Sequence, residues 1–118
     1  MQLEWSPRAQ RDLQAIHDYI THDSPIRAWK FVQRLGTATL SLQTFPLMGR
    51  PVPEVIDNAD IILELIFRNY RIIYRVIPDE SIQIITVLHA SRDLNNLQNQ
   101  PWLTQHKSLH HQKQKRPD

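Results

Sequence analysis

Ile61-Ile-Leu-Glu-Leu-Ile-Phe67, Tyr70-Arg-Ile-Ile-Tyr-Arg-Val-Ile77 and Ile82-Gln-Ile-Ile-Thr-Val-Leu-His89 follow one another with only Arg68-Asn69 and Pro78-Asp-Glu-Ser81 between them. The runs are built of β-branched and aromatic residues and alternate with period two, so they read as a three-stranded antiparallel meander. A two-residue loop at Arg68-Asn69 sets Phe67 opposite Tyr70 and fixes the register. One face then carries Leu63, Leu65, Phe67, Tyr70, Ile72, Tyr74 and Val76, all apolar or aromatic. The other carries Ile62, Glu64, Ile66, Arg71, Ile73, Arg75 and Ile77. So many isoleucines on a face expected to meet solvent predict a surface for another molecule, with Ile62, Glu64, Ile66, Ile73, Arg75 and Ile77 as partner-binding candidates. The faces of the last strand stay open, because a one-residue change in the Pro78–Ser81 loop exchanges them.

Upstream, Gln2–Trp5 alternates as a short strand. Ser6-Pro7 then starts a helix: the serine oxygen can take an orphan amide, and proline fits the first helical position. Ala9, Leu13, Ile16 and Ile20 form its apolar stripe. Ser24-Pro25 repeats the device before a second stripe through Ala28, Phe31, Leu35, Ala38, Leu42 and Phe45, which Pro46 ends. The short link predicts an antiparallel helical hairpin that covers the aromatic face of the sheet. Pro46–Pro53 is a stiff extended connector with three prolines.

The chain has 118 residues, 41% hydrophobic and 22% charged, which fits one globular domain. With no cysteine there is no disulfide framework, thiolate metal site or cysteine nucleophile. Two glycines cannot build a phosphate-cradling loop. From Asn99 onward Lys107, Lys113, Lys115 and Arg116 face one acid, Asp118, so the segment 99–118 is net +3 and the body net −1. The pI of about 9.2 therefore belongs largely to the tail, not to a basic nucleic-acid-binding slab. We divide the chain into a single domain, 1–98, and a basic disordered tail, 99–118, in which Trp102-Leu103 is an apolar pair able to dock on the body. No signal-peptide pattern and no membrane-length apolar run is present, which predicts a cytoplasmic protein without membrane contact.

Several local signals fall in a telling order. Leu3-Glu-Trp-Ser6 leads into Ala9, Asp12-Leu13 and Ile16. Phe45-Pro46 precedes Gly49-Arg-Pro-Val-Pro-Glu54. Leu63-Glu-Leu65, Tyr70-Arg-Ile-Ile-Tyr-Arg-Val76 and His89-Ala-Ser-Arg-Asp-Leu94 follow. This ordered set, from Gln2 to about Leu97, resembles the RelE/ParE superfamily of bacterial type II toxin–antitoxin toxins (plasmid stabilisation proteins), nearer its ParE branch. The resemblance implies an α+β fold of order β-α-α-β-β-β, with a helical hairpin on one side of a curved antiparallel sheet. It also implies a cognate antitoxin whose disordered segment wraps the toxin and folds on it, as coupled folding allows. The expected function is ParE-like growth inhibition through DNA gyrase.

The RelE branch instead cleaves mRNA on the ribosome without a metal, which needs a base, an acid and cations for the phosphate. Under that alternative Arg71 and Arg92 match phosphate-binding arginines, Glu54 the general base, and His89 the acid. Against it, the strand holding Ile62 and Glu64 lacks the nuclease lysines, no tyrosine follows Arg92, and a net −1 body is a poor start for gripping RNA. A further alternative is a decayed toxin that only binds its antitoxin. Each residue also has a plain structural reading: Arg71 a diagonal partner of Glu64, Glu54 a solvated loop carboxylate, His89 a satisfied strand-end histidine, and Arg92 a partner of Asp93 or a stabiliser of the strand end. No cofactor or metal is expected; His106, His110 and His111 in a tail do not make a site.

Overall fold

The computed structural model describes residues 1–55, 60–92 and 101–102. The elements in chain order are β1 (Gln2–Trp5), α1 (Pro7–Thr21), α2 (Pro25–Leu40), a 3-10 turn (Ser41–Gln43), β2 (Arg50–Pro51), β3 (Ile61–Phe67), β4 (Tyr70–Ile77) and β5 (Ser81–His89). They form an α+β fold. Both helices start on serine caps: Ser6 Oγ accepts from Ala9 N–H at 3.0 Å and Ser24 Oγ from Arg27 N–H at 3.2 Å, with proline next in each case. The second stripe breaks earlier than Pro46. The Ser41 carbonyl takes the amides of both Thr44 and Phe45, so the chain tightens into a 3-10 turn and leaves Phe45 exposed.

The meander lies within a five-stranded mixed sheet of order β1-β5-β4-β3-β2. Phe67 opposes Tyr70, as the two-residue loop requires, with Arg68 at a positive φ of 54°. The connector supplies the strand at one edge, where Arg50 lies opposite Glu64. At the other edge β1 runs parallel to β5. The register of β4 and β5 slips between Ile73 and Tyr74, leaving Ile85 as the extra residue. This bulge settles the faces of β5: Ile82, Ile84 and Val87 join the helix-side core, while Ile85 joins the other side. The helix α1 takes up backbone groups that β1 is too short to reach. Ser6 donates its hydroxyl to the Ile85 carbonyl at 2.8 Å, and Asp12 accepts from the Val87 amide at 3.1 Å and from the Thr86 hydroxyl.

Ala9, Phe31, Leu35, Leu42, Ile72, Tyr74, Val76, Ile82, Ile84 and Val87 form the core between hairpin and sheet, so the aromatic face packs as its alternation predicts. Tyr74 also holds the connector. Its hydroxyl donates to the Pro46 carbonyl at 2.9 Å and accepts from the Gly49 amide at 3.0 Å. A Cβ at Gly49 would stand 2.5 Å from the Tyr74 hydroxyl and 2.7 Å from the Glu64 carbonyl. Gly49→Ala should therefore destabilise the fold by about 1–3 kcal/mol in urea unfolding, the usual cost of overpacking. Burial pushes the Tyr74 hydroxyl above its ordinary value, opposed by the Gly49 hydrogen bond. A raised folded pKa means that the stability it carries is complete below the unfolded tyrosine value, about 10. That stability is lost as pH rises through the folded value. Tyr74→Phe should flatten the fall in stability above pH ~10 relative to the parent chain, read from denaturant midpoints across pH.

Candidate functional site

The end of the sheet formed by the β3–β4 loop, the connector and the strand end at His89 carries a charged cluster. Ile66 pairs with Arg71 and Glu64 with Ile73, so Glu64 and Arg71 are diagonal neighbours on the sheet's second face. Arg71 Nε donates to Glu64 Oε1 at 2.6 Å. Its two remaining nitrogens reach Glu54, Nη2 to Oε1 at 2.6 Å and Nη1 to Oε2 at 2.9 Å. Arg71 Nη1 also donates to the Arg92 carbonyl at 3.0 Å. Arg50 Nε closes the chain on Glu64 Oε2 at 2.7 Å. The side chains of Arg71 and Glu64 are 6% and 0% exposed, that of Glu54 10%, and that of Arg50 62%. A guanidinium bonded to Glu54 and Glu64 outweighs the opposing effect of burial, so Arg71 is held further into its charged range.

An open cleft of about 410 Å³ lies over this cluster, lined by Arg50, Glu54, Ile66, Arg71, Ser91 and Arg92. Arg71 sits at its floor with its fork already engaged. Glu54 is not the solvated carboxylate its loop position suggests, because Arg71 grips both of its oxygens. His89 is exposed; its Nδ1 accepts from the Ser91 amide at 3.2 Å and pairs with the Ser91 hydroxyl at 2.8 Å, while its ring packs edge-on against Tyr70. Arg92 is exposed beside the cleft. The structure thus gathers Glu54, Arg71 and Arg92 in one place and sets His89 at the end of the neighbouring strand.

The second face is not the bare surface its isoleucines predict. Ile62 and Ile73 are buried with Val52, Ile85 and Trp102, and half-buried Val55 and Leu88 pack at the margin. Glu64 is buried in the cluster above. Arg75 is buried too: Nη1 donates to Gln83 Oε1 at 2.7 Å, Nη2 to the Trp102 carbonyl at 2.8 Å, and Nε faces Asp60 at 3.3 Å. Burial pushes the Arg75 guanidinium down and Asp60 holds it up. Of the expected partner residues only Ile66, 45% exposed, and half-buried Ile77 reach solvent. The reason is that the connector folds back over the sheet through Val52 and Val55, and Trp102 closes the remainder. Trp102 stands inside the segment assigned to a disordered tail; residues 93–100 and 103–118, with His106, His110 and His111, lie outside the described residues. The same is true of Asp93, the expected neighbour of Arg92. Among the described residues there is no group of three metal-capable side chains and no helix long and apolar enough to cross a membrane.

The solved chain from the "Chromosomal ParDE TA system from P. aeruginosa" has the same arrangement: TM-score 0.64 and 27% identity, covering 77% of this chain and 97% of that one. The fold is therefore that of a toxin of type II toxin–antitoxin systems. Residues 3–94 match the family model for the ParE toxin of type II toxin-antitoxin system, parDE. Toxin RelE2 of Caulobacter vibrioides is 33% identical over 91 residues, 77% of this chain and 97% of the relative. Y4kP of Sinorhizobium fredii is 38% identical over 88 residues, 75% of this chain and 86% of the relative. The chain belongs to the ParE toxin family, within the RelE/ParE superfamily.

Proposed function

We propose that the protein arrests growth by poisoning DNA gyrase in the ParE manner and is held inactive by a cognate antitoxin, with both toxin and complex in the cytoplasm. The observation that carries this reading is the state of Arg71. A ribonuclease of the RelE kind needs that arginine free to neutralise a phosphate, and here it is spent on Glu54 and Glu64. Arg50, Arg71, Glu54 and Glu64 cancel, which leaves exposed Arg92 as the cleft's uncompensated cation among the described residues. The missing lysines on β3 point the same way. Purified toxin should trap cleaved plasmid in a gyrase supercoiling reaction and leave mRNA intact in a translating ribosome mixture. Intact plasmid with message cut in the ribosomal A site would reverse the assignment.

A seat for the antitoxin segment is supported elsewhere on the molecule. A groove of about 350 Å³ runs between β1 and α2, lined by Leu3, Trp5, Val32, Gly36 and Leu40. Beside it α2 exposes Ile26, Trp29 and Leu40, and β1 is an edge strand with one side unpaired in the sheet. Gly36 is the informative residue. It weakens the middle of a helix, yet an added Cβ would meet nothing within 4 Å. Among the described residues nothing requires the glycine, whereas a partner backbone closing on the groove would. Gly36→Ala should raise the stability of the isolated toxin by about 0.5–1 kcal/mol. Gly36→Arg should leave the toxin folded but weaken its complex with the antitoxin encoded beside it at least ~10-fold, about 1.4 kcal/mol, by titration calorimetry.

A further inference from the structure

The family match ends at residue 94, and the relatives are matched over most of their own length by about three-quarters of this chain. Trp102 therefore belongs to an extension beyond the shared domain. It is nonetheless 1% exposed. Its ring lies among Val52, Ile62, Ile73 and Ile85, and its carbonyl accepts from Arg75 Nη2 at 2.8 Å. Arg75 is aimed by Gln83 and Asp60. Apart from Trp102, each of these residues falls within 3–94. The receptor is thus built by the domain and the group that fills it by the extension.

We propose that the second face of the sheet is a peptide-binding slot, filled in cis by the chain's own extension, that recognises one large aromatic side chain together with a main-chain carbonyl. The isoleucines of β3, β4 and β5 give an apolar floor for the ring. Arg75 is positioned by Gln83 and Asp60 and donates to a main-chain carbonyl, so it selects backbone without reading sequence. The described part of the extension, Pro101 and Trp102, is buried, and its polar tie to the domain is the single hydrogen bond from Arg75. While the tether holds Trp102 close, its effective concentration lies in the millimolar range and a free competitor is excluded. A segment from another protein that presents the same two features gains the slot when the extension leaves it.

The test uses the full chain carrying Trp102→Ala and a labelled synthetic peptide spanning residues 98–106, read by fluorescence anisotropy. The variant should keep the far-ultraviolet circular dichroism of the parent and bind the peptide saturably, at least ten-fold tighter than the parent does. A peptide with alanine in place of Trp102 should not bind. Three results would overturn the proposal: no binding to the folded variant, equal binding to parent and variant, or loss of cooperative unfolding in the variant, which would make Trp102 ordinary core. None of these readings involves gyrase, the ribosome or the antitoxin, so their failure is separate from any failure of the functional assignment.

Discussion

Arg71→Ala should cost about 3–5 kcal/mol, the loss expected when one partner of a buried ion pair is removed. For a domain of this size that corresponds to a fall of roughly 10–20 °C in the unfolding midpoint. The reason lies in what is left behind. Glu64, with a fully buried side chain, would keep the exposed Arg50 as its one charged partner among the described residues, and Glu54 would lose both hydrogen bonds from the Arg71 fork. The Arg92 carbonyl would lose a donor as well. Glu64→Leu combined with Arg71→Met should recover most of the loss, because a buried pair replaced by apolar groups of similar volume leaves no orphaned charge. Scanning calorimetry of the single and double variants measures both effects.

This result bears on how activity data are read. Arg71→Ala would abolish growth arrest under either mechanism, simply by depleting folded toxin. Arg92→Ala is the cleaner probe, because its side chain is exposed and its removal should change stability by no more than about 0.5 kcal/mol. A ribonuclease that relies on Arg92 for phosphate would lose message cleavage in that variant at unchanged stability. A gyrase poison that does not use the cleft would keep its plasmid-trapping activity.

Local rules account for what could be read from the chain and what could not. The two Ser-Pro starts, the period-two runs and the Arg68-Asn69 loop are short-range signals, and the diagonal Glu64–Arg71 contact follows from register alone. The bulge at Ile85 and the pairing of Arg50 with Glu64 are set by distant neighbours. Alternation gave no hint of either. The second face likewise takes its cover from residues distant in the chain. Its isoleucines do mark a buried surface, but alternation cannot tell whether another molecule or the chain itself supplies the cover. Three prolines in the connector are a sign of a rigid segment, yet only the fold shows that it brings Val52, Val55 and Glu54 down on the sheet. Trp102-Leu103 is the one apolar pair in a segment whose composition reads as disordered, and composition does not say where Trp102 lands.

Phe31→Ala is the second large loss expected, again about 3–5 kcal/mol, as for a buried phenylalanine truncated to a methyl group. Phe31 is the contact through which α2 holds the far end of the β3–β4 hairpin. Its ring meets Phe67 edge-on at 5.6 Å and Tyr70 at 5.3 Å, one from each strand beside the Arg68-Asn69 loop. Tyr70 in turn packs against His89, so the contact extends to the strand end beside the charged cleft. Such edge-to-face pairs contribute about 0.5–1.5 kcal/mol beyond the area they bury. Phe31→Leu keeps most of the volume and loses the ring geometry, so its cost should stay near 1–2 kcal/mol. If the clamp acts as described, hydrogen exchange in Phe31→Ala should rise first at the amides around Phe67–Tyr70 and only later at β5, whose other contacts run to α1 through Ser6 and Asp12. Uniform acceleration across the sheet would instead make Phe31 a generic core residue, with no particular hold on the hairpin that borders the cleft.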